Sequence, residues 1–451
     1  MKNLKLRTLF RNTSSTFLWQ ILSLVLFVGL SILLARKLGP NGNGQYALVI
    51  LWPSLLATLF NFGISPALVY FLGSSAVSVR KARRTMMKFW AILSLTGLLL
   101  SVIVMLFWGR VIFPNIPAFL LFAGLLVYPI MLLPDFLLSM LQGMQDFRSY
   151  NMAQLAAPIT TLLFAAILIV VLRWGVYGGL LAYALGQLAS ALVSWKAVAR
   201  LVPFEVQETE FNDFGRRLIN FGWKAHLGNV LSLLNYRIDN FLLNLFLNPA
   251  AIGIYVVAVQ IAEGLWLLSS VVSTVLLPRL SQLTSEEEKR RVLTPLVSRW
   301  VLAVSLMGAL VLMILIKPLV IFLFGKSYIS ATLALLWILP GIIGLAFSRV
   351  LAQDIIARGR PEINLYISIA VVLANVVANL ALIPHMGING SALASTISYL
   401  LQSVLLTVIY SRLSGNAWYR PLLFGHDDIE LVKAGYSTLR ASITKISSSR
   451  K

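Results

Sequence analysis

The chain has 451 residues, 59% of them apolar and only 12% charged, with a mean hydropathy of +0.85. A soluble chain carries roughly 25% charged residues, so lipid is the solvent for most of this one, and its 37 Lys and Arg against 16 Asp and Glu, a net charge of +21, must be sorted by side of the membrane before nucleic acid is considered. The absence of Cys excludes disulfides and thiolate chemistry. His226, His385 and His426 lie too far apart for a metal site, and Val320 stands where a phosphate-binding loop ending in Gly325-Lys326-Ser327 needs its first glycine, so no cofactor, metal or ATPase is expected.

Windows of about 20 apolar residues, the length that crosses a bilayer, recur along the whole chain. They predict spans at 17–38, 46–72, 89–108, 116–141, 152–172, 174–195, 222–247, 253–278, 299–323, 330–352, 363–384 and 388–411, with a tight turn at 172–174. The first span follows Lys2, Lys5, Arg7 and Arg11; it is too long for a signal peptide and lacks a small-residue cleavage site, so it reads as a retained helix. The connectors set the orientation. Only Arg36, Lys37, Arg110, Arg173 and Lys326 fall at odd-numbered connectors, whereas clusters such as Arg80-Lys81-Ala82-Arg83-Arg84 and Lys289-Arg290-Arg291 fall at even-numbered ones. Positive charge stays inside, so both termini are expected in the cytoplasm, and anionic lipid accounts for the basic loops.

The most polar mid-chain stretch carries Glu205, Glu208, Glu210 and Asp213 and divides the chain into six-span lobes at 1–205 and 206–411, followed by a basic cytoplasmic tail at 412–451. Pro40, Gly44 and Tyr46 recur as Pro249, Gly253 and Tyr255, and Gly175-Val-Tyr-Gly178 recurs as Gly387-Ile-Asn-Gly390. Six crossings per repeat make the repeats parallel. The expected fold is an all-α polytopic membrane protein, with twelve transmembrane helices in two parallel six-helix lobes around a central cavity. No stretch outside the membrane is long enough for a catalytic domain, so the expectation is a transporter and not an enzyme.

Charge inside a membrane is costly and faces a cavity or a partner. In the seventh span, His226, Asn229, Arg237, Asn240 and Asn244 share one helical arc, while Lys224, Asn235 and Asp239 lie roughly opposite. One reading has the first stripe line a wet cavity that presents Arg237, with Lys224 near its cytoplasmic mouth, to an anionic substrate. The other has Arg237 pair with an acid on a neighbouring helix. Glu263, in the eighth span, either titrates and couples transport to an ion, a role for which Asp239 is the second candidate, or answers Lys224 or Arg237. Asp135, Arg349 and Asp354, near cytoplasmic ends of spans, read as anchors or gates.

Several segments resemble the polysaccharide-biosynthesis flippase family of the multidrug/oligosaccharidyl-lipid/polysaccharide exporter superfamily. They are Leu38-Gly-Pro-x-x-x-Gly-x-Tyr46, Asn61-Phe-Gly-Ile-Ser-Pro66, Tyr236-Arg-Ile-Asp-Asn-Phe-Leu-Leu243, Leu323-Phe-Gly-Lys-Ser-Tyr328, Arg358-Gly-Arg-Pro-Glu362 and Leu382-Ile-Pro-His-Met-Gly-Ile-Asn-Gly390. The resemblance implies alternating access and the movement of an isoprenoid-diphosphate-linked oligosaccharide to the outer leaflet of the cell membrane. Membrane lipids and glycan polymerases or glycosyltransferases of the same pathway would be its partners. The family's cationic cavity carries over to Arg237 and Lys224. Two alternatives stay open: a drug/cation antiporter of the same superfamily, which should favour acids in its cavity, and a lipid II flippase, which would carry two further helices.

Overall fold

The computed structural model describes residues 2–201, 213–282, 287–425 and 428, with the backbone alone at 2–18, 20–21, 224–225, 266–271, 273–275, 277–279 and 281–282. The described residues are helical throughout, joined by turns. Nine helices among them are long and apolar enough to cross a bilayer, and Ile64–Gly73 and Pro249–Leu265 are shorter apolar stretches. The distribution of side chains is that of a protein in lipid. On α3 (Val79–Ile112) the inward positions include Ser94, Gly97, Ser101 and Gly109, while Leu95, Leu99, Leu106 and Phe107 point outward, Phe107 at 74% exposure. Small residues inside let helices approach, and large apolar ones outside cost nothing in hydrocarbon.

The expected windows fall on helices, and two of them are interrupted where the sequence weakens the backbone ladder. The first two windows join in α1 (Lys2–Leu59), which kinks at Gly39, φ 67° and ψ 179°. Glycine alone takes that conformation readily, and the extended ψ is what a residue before Pro40 prefers. The second window then breaks at Asn61-Phe62-Gly63, with φ of 48° at Phe62 and 72° at Gly63, and restarts as α2 (Ile64–Gly73). Asn61 Oδ1 accepts from the Ser65 N–H at 3.3 Å, satisfying a donor that the new helix start leaves open. The fourth window is α4 (Ala118–Leu125) and α5 (Val127–Gly143), divided beside Leu125, where the ring of Pro129 opposes the carbonyl four residues back. The fifth is α6 (Phe147–Ala165), capped by Asp146 and closing in one π-helical turn, Ala166–Val171. The expected tight turn follows, with positive φ at Arg173 and Gly175, and leads into α7 (Gly175–Arg200). Next come α8 (Phe214–Phe246), α9 (Pro249–Gln282), α10 (Glu287–Leu323), α11 (Ala331–Ala357), α12 (Pro361–Met386) and α13 (Ile388–Ser414).

The chain forms two compact units. The first comprises the chain to Val257 with Pro318–Thr332 and Ile383–Ile388; the second comprises Ala258–Lys317, Leu333–Leu382 and the chain from Asn389 onward. The lobe boundary expected at 205/206 lies outside the described residues, as does nearly all of the tail beyond Gly425. In the first unit α8 packs on α1, α2 and α3 through glycines that leave no room for a side chain. A Cβ on Gly63 would sit 2.1 Å from the Gly222 carbonyl oxygen, and one on Gly222 would sit 2.1 Å from that of Gly63. Two recurring motifs meet in the same way. A Cβ on Gly44 would fall 1.7 Å from the Pro249 oxygen, and one on Gly253 would fall 2.0 Å from the Pro40 oxygen. Asn43 Nδ2 donates to the Gly253 carbonyl at 3.2 Å. Arg36 extends this end of the unit, donating through Nε to the Leu323 carbonyl at 2.7 Å and also to that of Phe322, where a cation answers the exposed carbonyls of a helix C-terminus.

The second unit has an apolar core around Phe347, Leu351, Ile355, Val371, Leu406 and Tyr410 and a buried polar seam between α12 and α13. There Asn375 Nδ2 donates to Ser398 Oγ at 3.1 Å, and Ser391 Oγ donates to Asn379 Oδ1 at 2.7 Å. At one end, Asp354 is fully buried and holds two cations, Arg290 at 2.9 Å and Arg358 at 3.0 Å; Arg358 also reaches Glu287 at 2.8 Å. Burial works against the charge on Arg358, but Glu287 and Asp354 outweigh it and hold its pKa above the ordinary value. The chain after α13 returns along α10, where the buried Arg299 pairs with Asp428 at 2.9 Å and donates to the carbonyls of Arg420 and Leu423.

Candidate functional site

Breaking the second window at Asn61 creates a helix end inside the first unit, and a cavity of about 480 Å³ opens against it. The C-terminal turns of α1 contribute Ser54 and Thr58, the break and the start of α2 contribute Asn61 and Ser65, and α7 contributes Gln187. From α8 come His226, Asn229 and Ser232, spaced one helical turn apart as the 3.6-residue period requires. Met131, Leu233 and Pro66 supply apolar wall. The acid is Asp135 of α5. Its Oδ2 accepts from Asn61 Nδ2 at 2.5 Å and from Ser65 Oγ at 3.0 Å. Both donors belong to the start of α2, so the carboxylate faces the positive end of that helix. The His226 ring lies 5.5 Å from that of Phe62, tilted by 30°.

The wall is therefore a set of hydroxyls, amides, one imidazole and one carboxylate. Lys and Arg do not occur among its described members. While Asp135 is ionised, a phosphate charge about 4 Å away would meet a repulsion of about 4 kcal/mol at an effective dielectric of about 20, so an anion would need an answering cation supplied from elsewhere.

Of the residues expected to bind substrate, the structure brings His226 and Asn229 to this cavity. The Lys224 side chain lies outside the described residues. Arg237 is half-buried deeper along α8 and is engaged by other groups; it is not a member of the cavity wall. Asn240 and Asn244, expected on the same open stripe, are buried, and Asn244 Nδ2 donates to the Ile112 carbonyl. The two halves of the stripe thus have different surroundings: one meets a void, the other meets α3. Asp239 is buried and accepts from the Tyr255 hydroxyl and from the Asn240 N–H, the latter at 3.0 Å. Around it the side-chain oxygens of Asn235 and Asn240 are buried without a hydrogen bond among the described residues, leaving this stretch of α8 rich in acceptors. Glu263 lies on α9 in the second unit, half-buried and engaged.

Sequence reasoning read Asp135 only as an anchor or gate and gave Asn61, Ser65, Gln187 and the wall hydroxyls of Ser54, Thr58 and Ser232 no role. A signal existed for three of them: Asn61 and Ser65 belong to a segment that resembles the family, and Asp135 is the one acid in its window. Nothing in the sequence placed them together.

With this geometry in hand, the chain can be set beside known proteins. A probable flippase of the archaeon Haloferax volcanii, AglR, is 27% identical over 191 residues, which is 41% of this chain and 39% of the relative, so the match spans well under half of that protein. The lipid II flippase MurJ in an inward closed conformation superposes with a TM-score of 0.71 at 16% identity, covering 87% of this chain and 86% of that one. An inward-facing multidrug-resistance MATE-family transporter of the MOP superfamily gives 0.71 at 15% identity, covering 87% and 94%. At such identities the two structures speak for the fold. The sequence profile of the family described as polysaccharide biosynthesis protein matches residues 9–284, more than half of the chain, so this multi-span membrane protein belongs to the polysaccharide biosynthesis protein family.

Proposed function

We propose that this protein flips isoprenoid-diphosphate-linked oligosaccharide from the cytoplasmic to the outer leaflet of the cell membrane by alternating access. The layout is twelve crossings in two six-helix lobes, 1–205 and 206–411, with both termini and the 412–451 tail cytoplasmic. The observation that carries the reading is the family profile, and a cavity lined by polar side chains within lipid-facing helices supports it. A polar headgroup crossing the bilayer midplane needs such a lining to offset its lost hydration. Arg237, Lys224 and Asn240 are assigned to the diphosphate, and His226 and Asn229 to the headgroup. Glu263 and Asp239 are assigned to ion coupling, which the acceptor-rich surroundings of Asp239 support. Glycosyltransferases or a polymerase of the same pathway would supply and consume the substrate.

One observation favours a second reading. The described cavity wall carries an acid and no Lys or Arg, as a drug/cation antiporter would prefer. Proteoliposomes separate the two. Transfer of labelled lipid-linked oligosaccharide, without ion-driven uptake of a cationic dye, is expected; dye transport without lipid transfer would replace the flippase reading with the antiporter.

A further inference from the structure

We propose that the cavity of the first unit is a carbohydrate subsite. It would hold sugars of the headgroup through Asp135, Gln187 and Asn229, while the diphosphate is bound elsewhere. The inference rests on the flippase reading and divides its substrate between two places.

The lining matches sugar chemistry group by group. A sugar ring presents adjacent hydroxyls, each both donor and acceptor, on an apolar C–H frame. Carboxylates and amides are planar and can bridge two such hydroxyls, and hydroxyl side chains can donate or accept as needed. The cavity offers one carboxylate, the amides of Gln187 and Asn229, and, as acceptors, the hydroxyl oxygens of Ser54 and Thr58, which donate to the Leu51 and Ser54 carbonyls, with Met131 and Leu233 as apolar wall. Its volume, about 480 Å³, falls in the range of small-molecule sites, about 300–1,000 Å³.

The carboxylate is also preorganised. Asn61 and Ser65 both bind Oδ2 of Asp135, and Asn61 is itself fixed by accepting from the Ser65 N–H. Asp135 is exposed to the cavity rather than sealed in the core, so its remaining acceptor capacity is available to a ligand. In its ionised form the same acid repels a diphosphate, and the described wall holds no cation to offset that repulsion. A neutral, hydroxyl-rich ligand carries no such cost.

The chain contains no cysteine, which permits a clean test. Ser232 lines the cavity, and its hydroxyl is turned back to the Gly228 carbonyl at 2.8 Å, so Ser232→Cys places one thiol at the wall. The full chain in nanodiscs is labelled with a small maleimide in the presence of polyprenyl diphosphate, or of the same lipid bearing N-acetylglucosamine or galactose. Binding of each lipid is measured in parallel by native mass spectrometry. At least one sugar-bearing lipid is expected to slow labelling by about fivefold or more, while the sugarless lipid, although bound, leaves the rate unchanged. Asn229→Ala or Gln187→Ala, added to the reporter, should cut the protection severalfold without altering binding of the sugarless lipid. Equal protection by sugarless and sugar-bearing lipids would overturn the proposal by placing the diphosphate in the cavity. So would protection by sodium or acidification alone, which would make Asp135 an ion site. Sugar-bearing lipids that bind without protecting would also refute the subsite and leave the flippase reading standing, whereas failure of every lipid to bind would refute that reading itself. If Ser232→Cys labels too slowly to follow, Ser54→Cys reports from the same wall.

Discussion

Asp135 and Arg237 are opposite charges at two depths of the first unit, and each can be tested by a change that alters chemistry more than shape. Removing the Asn61 side chain withdraws a helix cap, a loss of about 1 kcal/mol, and a hydrogen bond to a charged group, about 1.5–3 kcal/mol. Asn61→Ala is therefore expected to unfold at a lower temperature in detergent and to transport several-fold more slowly, whereas Ser54→Ala, which removes only a wall hydroxyl, keeps the wild-type unfolding temperature. At Arg237 the planar guanidinium can give paired hydrogen bonds to a diphosphate that an ammonium cannot reproduce. Arg237→Lys should retain weak transfer of lipid-linked oligosaccharide and Arg237→Ala essentially none, both normalised to folded protein; full activity of Arg237→Ala would remove Arg237 from the substrate path. Helical arithmetic placed His226 and Asn229 on one face, and they share a wall. It placed Asn240 and Asn244 on that face too, yet both are buried. Periodicity states direction around a helix and is silent on what stands opposite at each depth, so the cavity's extent was not legible. Asp135 was expected only as an anchor or gate, and its place in this cavity was hidden for a related reason: its partners are 70 and 74 residues away in sequence.

At the scale of elements, the break between α1 and α2 and the glycine contacts are the features with consequences. Windows of hydropathy predict that a segment is in the membrane; they do not register a three-residue interruption, because Asn61-Phe62-Gly63 barely lowers the average. The meeting of the Pro40–Gly44 and Pro249–Gly253 motifs was legible only as a repeat, since recurrence carries no information about contact. The meeting leaves no room for a side chain at either glycine. Gly253→Ala, whose added carbon would fall 2.0 Å from the Pro40 oxygen, should unfold at a lower temperature in detergent and transport more slowly, whereas Gly228→Ala, whose added carbon meets open space, should do neither. An unchanged unfolding temperature in Gly253→Ala would show that this contact gives way without cost. In the second unit, Asp354→Asn leaves Arg290 and Arg358 without their shared acid. Breaking a buried pair costs about 3–5 kcal/mol, and a clear drop in thermal stability is expected, without the sugar selectivity of transport changing.

Over the whole molecule, composition was the most informative part of the sequence, because lipid imposes one rule on every helix. The exposed faces of α3 and α10, with Phe107 at 74% and Ile314 at 78%, follow that rule. The orientation proposed from the basic connectors is checked by reporter fusions. Those after Gly39 and Ala251 should report the outside and those after Arg84 and Ser285 the inside; Ser285 outside would overturn the layout. The paired glycines bear on the molecule's history as well as its stability. Pro40 covers Gly253 as Pro249 covers Gly44, so the surface is self-complementary in the manner of a twofold homodimer, where each residue meets its own counterpart. A chain that folded back on itself after duplication would inherit such a surface from an ancestral pair of separate subunits. Every change in the ancestor would have struck the contact twice, whereas here each side can drift alone. Splitting the gene between the repeats and expressing the halves together asks how much of that older two-chain protein survives.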